Sequence, residues 1–197
     1  MALAVANYIA AKEKETVAYV EVGEGSQIKA LMTEALEVSD GKLTFTRHKV
    51  CYYPARSIEE AEQIGKGKDT YIVYDIQSYN IETHALLVHC AKAVLLGSLK
   101  PWNYRKYWTC IRDTIITNRD IDRISYYSFG LTKQEKSKFQ QEFHQEIQAV
   151  PYIPDPFALE EESFAFLKQI CYGSCNSNSS TTVKSILRRS QCLRTYY

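Results

Sequence analysis

Between Lys92 and Arg112 the chain carries five cations, Lys92, Lys100, Arg105, Lys106 and Arg112, and no carboxylate. Aromatic rings are threaded through the middle of the run: Lys100-Pro101-Trp102-Asn103-Tyr104-Arg105-Lys106-Tyr107-Trp108. Cations neutralise phosphates and release counterions, and flat rings stack on bases or settle at an interface, so this mixture suits a single-stranded nucleic acid or an anionic membrane surface. A competing reading uses the same letters. Tyr104, Trp108, Ile111 and Ile115 keep the spacing of one helical face and could turn inward, leaving the cations to solvate the other face.

A second basic stretch runs from Val183 to Tyr197, with Lys184, Arg188, Arg189 and Arg194 and no acidic side chain. Ile186, Leu187, Leu193, Tyr196 and Tyr197 give it apolar matter as well. Such a segment can lie on an anionic surface, bind nucleic acid or dock in a groove of a protein partner; it can also pack on its own domain. The candidate anion-binding set is therefore Lys100, Trp102, Tyr104, Arg105, Lys106, Trp108, Arg112, Lys184, Arg188, Arg189 and Arg194. The 15 tyrosines, paired at 52–53, 126–127 and 196–197, add to an interaction-prone composition that favours a protein partner or self-association.

Catalytic patterns are sparse. The chain has no Walker-type loop, no GxGxxG and no GxSxG. His84 and His89 are five apart and so diverge on a helix, and Cys90 directly follows His89 and points elsewhere. Gly65-Lys66-Gly67-Lys68 lacks the spacing of a phosphate loop. Cys171 and Cys175 have loosely ligand-like spacing, with Cys192 further on, but no second close pair completes a tetrahedral set, so no metal and no cofactor are expected. An enzyme that processes nucleotides or nucleic acid remains as the alternative, its site assembled from dispersed residues such as Asp69, Asp75, His84 and His89.

Composition bounds the rest. With 197 residues, 45% of them apolar, and only 8 Gly and 5 Pro, the chain is too apolar for disorder and suited to one core. The balance of 24 Lys+Arg against 23 Asp+Glu excludes a globally basic nucleic-acid coat, so anion binding must come from local clustering. The first eleven residues lack a signal peptide's basic start, and no apolar run approaches the ~20 residues of a membrane span. Reduced cysteines and an intracellular setting, cytoplasmic or nuclear, are the matching expectation.

The elements that would position these groups read as follows. A short helix covers Ala2 to about Lys14. Strands cover Thr16–Val22, Lys42–Tyr53 after a turn at Asp40-Gly41, Asp69–Ile76 and Ile124–Phe129. Ser57 with Glu60 and Thr132 with Glu135 form capping boxes at helix starts. A buried helix is expected over Ile81–Leu96, another after Pro101, and two more in the C-terminal third: one striped by Phe139, Phe143, Ile147 and Val150, one starting at Asp155-Pro156. Strands before residue 80 and helices after 130 predict an α+β fold: a mainly antiparallel sheet in the N-terminal half, with helices packed on it and a helical C-terminal third. The expected organisation is a domain over 1–173, a Ser/Asn-rich linker over 174–182 and a basic tail over 183–197. Together these readings point to a non-catalytic binding protein, of the kind that small viral structural or accessory proteins exemplify.

Overall fold

The computed structural model describes residues 1–23, 37–39, 42–66, 70–77, 83, 86, 87, 89–117, 123–173 and 191–195. Strands β1 (Val17–Val22), β4 (Val50–Ala55) and β5 (Tyr71–Ile76) lie side by side and parallel, with β1 in the middle. Strands β6 (Lys92–Gly97), β7 (Ile124–Phe129) and β8 (Ile147–Val150) form a second parallel trio. Between the trios runs β9 (Gln191–Thr195), parallel to β5 on one side and β6 on the other. Beyond β4, strands β3 (Lys42–Arg47) and β2 (Glu37–Ser39) complete the order β2-β3-β4-β1-β5-β9-β6-β7-β8.

This corrects the α+β expectation and its mainly antiparallel sheet. Among the described residues, antiparallel pairing is confined to β2–β3 and β3–β4, and helices alternate with strands. The reason lies in burial. All six residues of β1 are buried, as are five of six in β5 and in β6. Parallel strands covered on both faces read as continuous apolar runs, and such runs do not announce the direction of their neighbours.

Five helices occur among the described residues: α1 (Ala2–Glu13), α2 (Ile58–Gly65), α3 (Pro101–Thr117), α4 (Lys133–Phe143) and α5 (Glu161–Tyr172). One core cluster packs α2, α3 and α4 on one face of the sheet through Ile58, Ile64, Tyr107, Ile111 and Phe139. The other packs α1 and α5 on the opposite face through Val5, Ile9, Leu167 and Ile170. Right-handed crossovers explain the division. The chain steps one way along the sheet through α2, α3 and α4, then returns through α5 from the edge strand β8 to the central β9, which requires the other face.

Three helical expectations are revised. Lys92–Gly97, whose first five residues fall within the expected helix over 81–96, is a strand buried on both faces, and an apolar run of that kind fits either element. The stripe from Phe139 to Val150 is broken at His144, whose φ of 53° ends α4 before β8 begins. Asp155-Pro156 opens a turn, in which the Asp155 carboxylate accepts from the Phe157 amide at 2.8 Å, and α5 begins only at Glu161.

The expected capping box is complete at Thr132; at Ser57 the serine cap forms, but Glu60 reaches the amide of Arg56 rather than that of Ser57. Ser57 Oγ accepts from the Glu60 amide at 3.2 Å, while the Glu60 carboxylate accepts from the Arg56 amide at 2.8 Å. At α4, Thr132 Oγ1 accepts from the Glu135 amide, and the Glu135 carboxylate accepts from the Thr132 amide at 2.7 Å and the Thr132 hydroxyl at 2.8 Å. Partial burial pushes the Glu135 carboxyl up, but the Thr132 donors and the Lys100 ammonium outweigh it and hold the carboxyl below its ordinary value. A depressed carboxylate stabilises the fold above its unfolded pKa, and that contribution fades as pH falls through the folded one. Thr132→Ala is thus expected to cost about 1 kcal/mol near neutral pH, with part of the deficit disappearing in acid. Urea unfolding of both proteins at neutral and acid pH checks this, and an unchanged midpoint at neutral pH would refute it.

Candidate functional site

α3 follows directly from the carboxyl end of β6, so its first turn lies at the edge of the sheet where the parallel strands end. Its inward face is built from Tyr107, Trp108, Ile111 and Thr114, all buried. The Tyr107 hydroxyl reaches the carbonyls of Leu95 at 3.0 Å and Tyr127 at 2.7 Å, anchoring the helix over β6 and β7. The Trp108 ring stacks on Tyr104 with centroids 4.6 Å apart and packs against Phe143, and its indole nitrogen donates to Glu142 at 2.5 Å. Lys138 of α4 lies over the Tyr104 ring at 4.8 Å.

These contacts divide the residues proposed from sequence. Tyr104 and Trp108 are not outward-facing stacking platforms; the helical period turns them toward α4. Lys100 and Arg112 are drawn to carboxylates of α4, with Lys100 Nζ 3.3 Å from Glu135 and Arg112 Nη2 3.2 Å from Glu142. Trp102, 79% exposed, stays outside with Arg105 and Lys106, one turn along the same face. Thr109, Arg112 and Ile116 continue that face toward the helix end.

Of the basic tail, Lys184, Arg188 and Arg189 lie outside the described residues. Arg194 falls on β9, of which the backbone path alone is described, in register with Ile76 and Leu95 in the middle of the sheet. Asp69, His84 and Cys175 also lie outside the described residues. Asp75 is on β5 and, by the two-residue period, shares the face of Tyr71 and Val73 that α1 covers. His89 is exposed, and the nearby Leu86 and Leu87 pack on the opposite face. The sheet therefore separates the two. Burial pushes the Cys171 thiol up to about 12, so it is a protonated core group at neutral pH rather than a thiolate ligand. No group of three or more His, Cys, Asp or Glu side chains suited to a metal occurs among the described residues.

One constellation escaped sequence reasoning. Glu21 and Asp75 are register partners on adjacent strands near their carboxyl ends, and Glu21 is only 2% exposed. Gln77 Nε2 donates to Glu21 at 3.0 Å, and the Tyr19 hydroxyl donates to Asp75 at 2.5 Å. Burial, then the Asp75 carboxylate, pushes the Tyr19 hydroxyl well above its ordinary pKa, so it acts as a fixed donor. The strand Val17–Val22 reads as a run with one polar residue, and only cover on both faces makes that residue a buried acid. The sign was the position alone: an acid near the end of each strand.

No family model matches the chain, and no curated protein matches it either.

Proposed function

We propose that the protein works by binding a single-stranded nucleic acid on the exposed face of α3 and is not an enzyme. The observation that carries this is Trp102, an exposed indole with Arg105 and Lys106 three and four positions on. On a helix those spacings place a ring and two cations on one surface, the combination that stacks a base and neutralises the phosphates beside it. An anionic membrane is the weaker partner for this face. Its exposed apolar side chains, Trp102 and Ile116, are ~21 Å apart at the helical rise, with Arg105, Lys106 and Arg112 between them. A membrane-surface helix needs a continuous apolar face, and the continuous apolar face of α3 is turned to the sheet.

Fluorescence anisotropy of labelled oligothymidylate and oligouridylate at two salt concentrations tests the reading, with anionic phosphatidylserine vesicles as the comparison. Trp102→Ala is expected to weaken oligonucleotide binding about five- to hundredfold. Arg105→Gln is expected to reduce the slope of log affinity against log salt by about 0.7, the loss of roughly one phosphate contact. Preferential vesicle binding, or oligonucleotide binding indifferent to Trp102, would overturn it.

A further inference from the structure

On the opposite face of the sheet from α3, a cleft of about 400 Å³ opens where the end of α1, the β3–β4 turn and the segment entering α5 meet. Its rim carries Lys14, His48 and Lys49, and its apolar side is formed by Phe157, Leu159 and Phe164. No carboxylate is among the described residues that line it. The Arg47 guanidinium sits 4.4 Å over the Phe157 ring, adding another cation beside it. Phe164 is 38% exposed although it also packs edge-on against Tyr8. A volume of this size falls in the range of small-ligand sites, which join an apolar wall to a few convergent polar groups.

The backbone supplies an independent observation. Lys14, His48 and Lys49 have φ of 57°, 50° and 67°, three of the four non-glycine residues with positive φ among those described. Lys14 is the residue that ends α1, a position where glycine is favoured. His48-Lys49 is a two-residue hairpin turn with both φ positive, where Asn-Gly is favoured. At all three positions a side chain is held in a conformation that glycine adopts more easily, and all three line one cleft. The two segments are also tied together: Lys49 Nζ donates to the Lys14 carbonyl at 2.7 Å, and the Val17 amide donates to the Lys49 carbonyl at 2.9 Å. An ammonium with one hydrogen bond to that carbonyl keeps two further donors for a ligand.

We propose that this cleft binds a small amphiphilic anion, with its acidic headgroup at Lys14 and Lys49 and an acyl or aryl body against Phe157, Leu159 and Phe164. Charge selects the headgroup and the rings select the body. A free phosphate would leave the apolar wall wet, and a neutral alcohol would leave the lysines unanswered.

The test is a fluorescence titration of the full chain with 8-anilinonaphthalene-1-sulfonate, an aryl anion, followed by displacement with decanoate, 2-naphthoate, decanol and inorganic phosphate. Saturable binding is expected, displaced by decanoate or 2-naphthoate at concentrations about tenfold below those of decanol or phosphate. Which carboxylate is stronger tells an acyl body from an aryl one. Ala11→Trp, at an exposed position on the cleft wall, is expected to abolish binding with an unchanged circular dichroism spectrum. Lys49→Gly is expected to raise the melting temperature while weakening binding about fivefold or more. Unsaturable fluorescence, displacement equal for decanol or phosphate, or a stabilised Lys49→Gly protein with full affinity would each overturn the proposal.

Discussion

A chain ended after Gly173 is expected to lose its cooperative unfolding transition. β9 is the strand that joins the two parallel trios: Gln191 to Arg194 pair with Val73 to Ile76 of β5, and Gln191 to Thr195 pair with Lys92 to Leu96 of β6. Removing it exposes two facing strand edges in the middle of the sheet, beneath α1 and between buried runs. Each buried backbone group left without a partner costs about 1–3 kcal/mol. A handful of them equals the whole stability of a domain this size, roughly 5–15 kcal/mol. Thermal and urea unfolding followed by circular dichroism should then show a shallow transition or none. A truncated chain melting cooperatively within about 5 °C of the full one would refute the placement of β9, since even 1–2 kcal/mol shifts the midpoint by that much. It follows that truncation cannot test what the cations of 183–197 bind, because it removes the centre of the sheet with them. Substituting Lys184, Arg188 and Arg189 by glutamine keeps β9 and removes only charge.

The difference between a tail and a central strand marks the limit of what local pattern conveys. Signals settled within four or five residues were legible: the Ser57 and Thr132 side-chain caps, and the runs rich in β-branched and aromatic residues that became β1, β5 and β7. In these the backbone preference and the side-chain hydrogen bonds are made by neighbours in sequence. Gln191-Cys-Leu-Arg-Thr195 has no comparable signal, and its strand is made by two partners, β5 and β6, that lie about a hundred residues earlier in the chain. Lys92–Gly97 shows the same limit, since an apolar run buried all round is compatible with helix or strand until its partners are known. The stripe through Phe139, Phe143 and Ile147 misled for a different reason. Its four-residue spacing continues across His144, where the backbone turns and the helix stops.

For the site, two readings competed for the same residues of α3. Periodicity assigned Tyr104, Trp108, Ile111 and Ile115 to an inward face, and composition assigned Tyr104 and Trp108 to an outward one. Trp108 is buried and Tyr104 stacks on it, so periodicity prevails where an aromatic lies on the apolar stripe. Trp102, outside that stripe, is the ring that composition rightly left exposed. Neither argument could show Lys100 and Arg112 engaged by Glu135 and Glu142, because α4 is brought alongside α3 only by the crossover through β7.

The anchoring of α3 itself depends on a residue with no side chain. A Cβ on Gly97 would lie 2.5 Å from the Tyr107 ring, well inside van der Waals contact. The ring has little freedom to withdraw, because its hydroxyl is fixed at the Leu95 and Tyr127 carbonyls and its body is 1% exposed. Gly97→Ala is therefore expected to destabilise the fold by about 1–3 kcal/mol, the range for overpacking a core that cannot relax. The clash predicts its own relief. Tyr107→Leu alone loses the ring and its buried hydrogen bonds, but in a protein already carrying Gly97→Ala it also removes the overlap. The double variant should then be more stable than the sum of the two single losses by about 1 kcal/mol or more, a coupling that only contacting residues show. Because the same anchor aims the exposed face, Gly97→Ala should also weaken oligonucleotide binding although position 97 is buried and off that surface. Strict additivity of the two substitutions in urea unfolding would mean that the tyrosine ring does not rest on Gly97, and the placement of α3, with Trp102 at its open end, would fall with it.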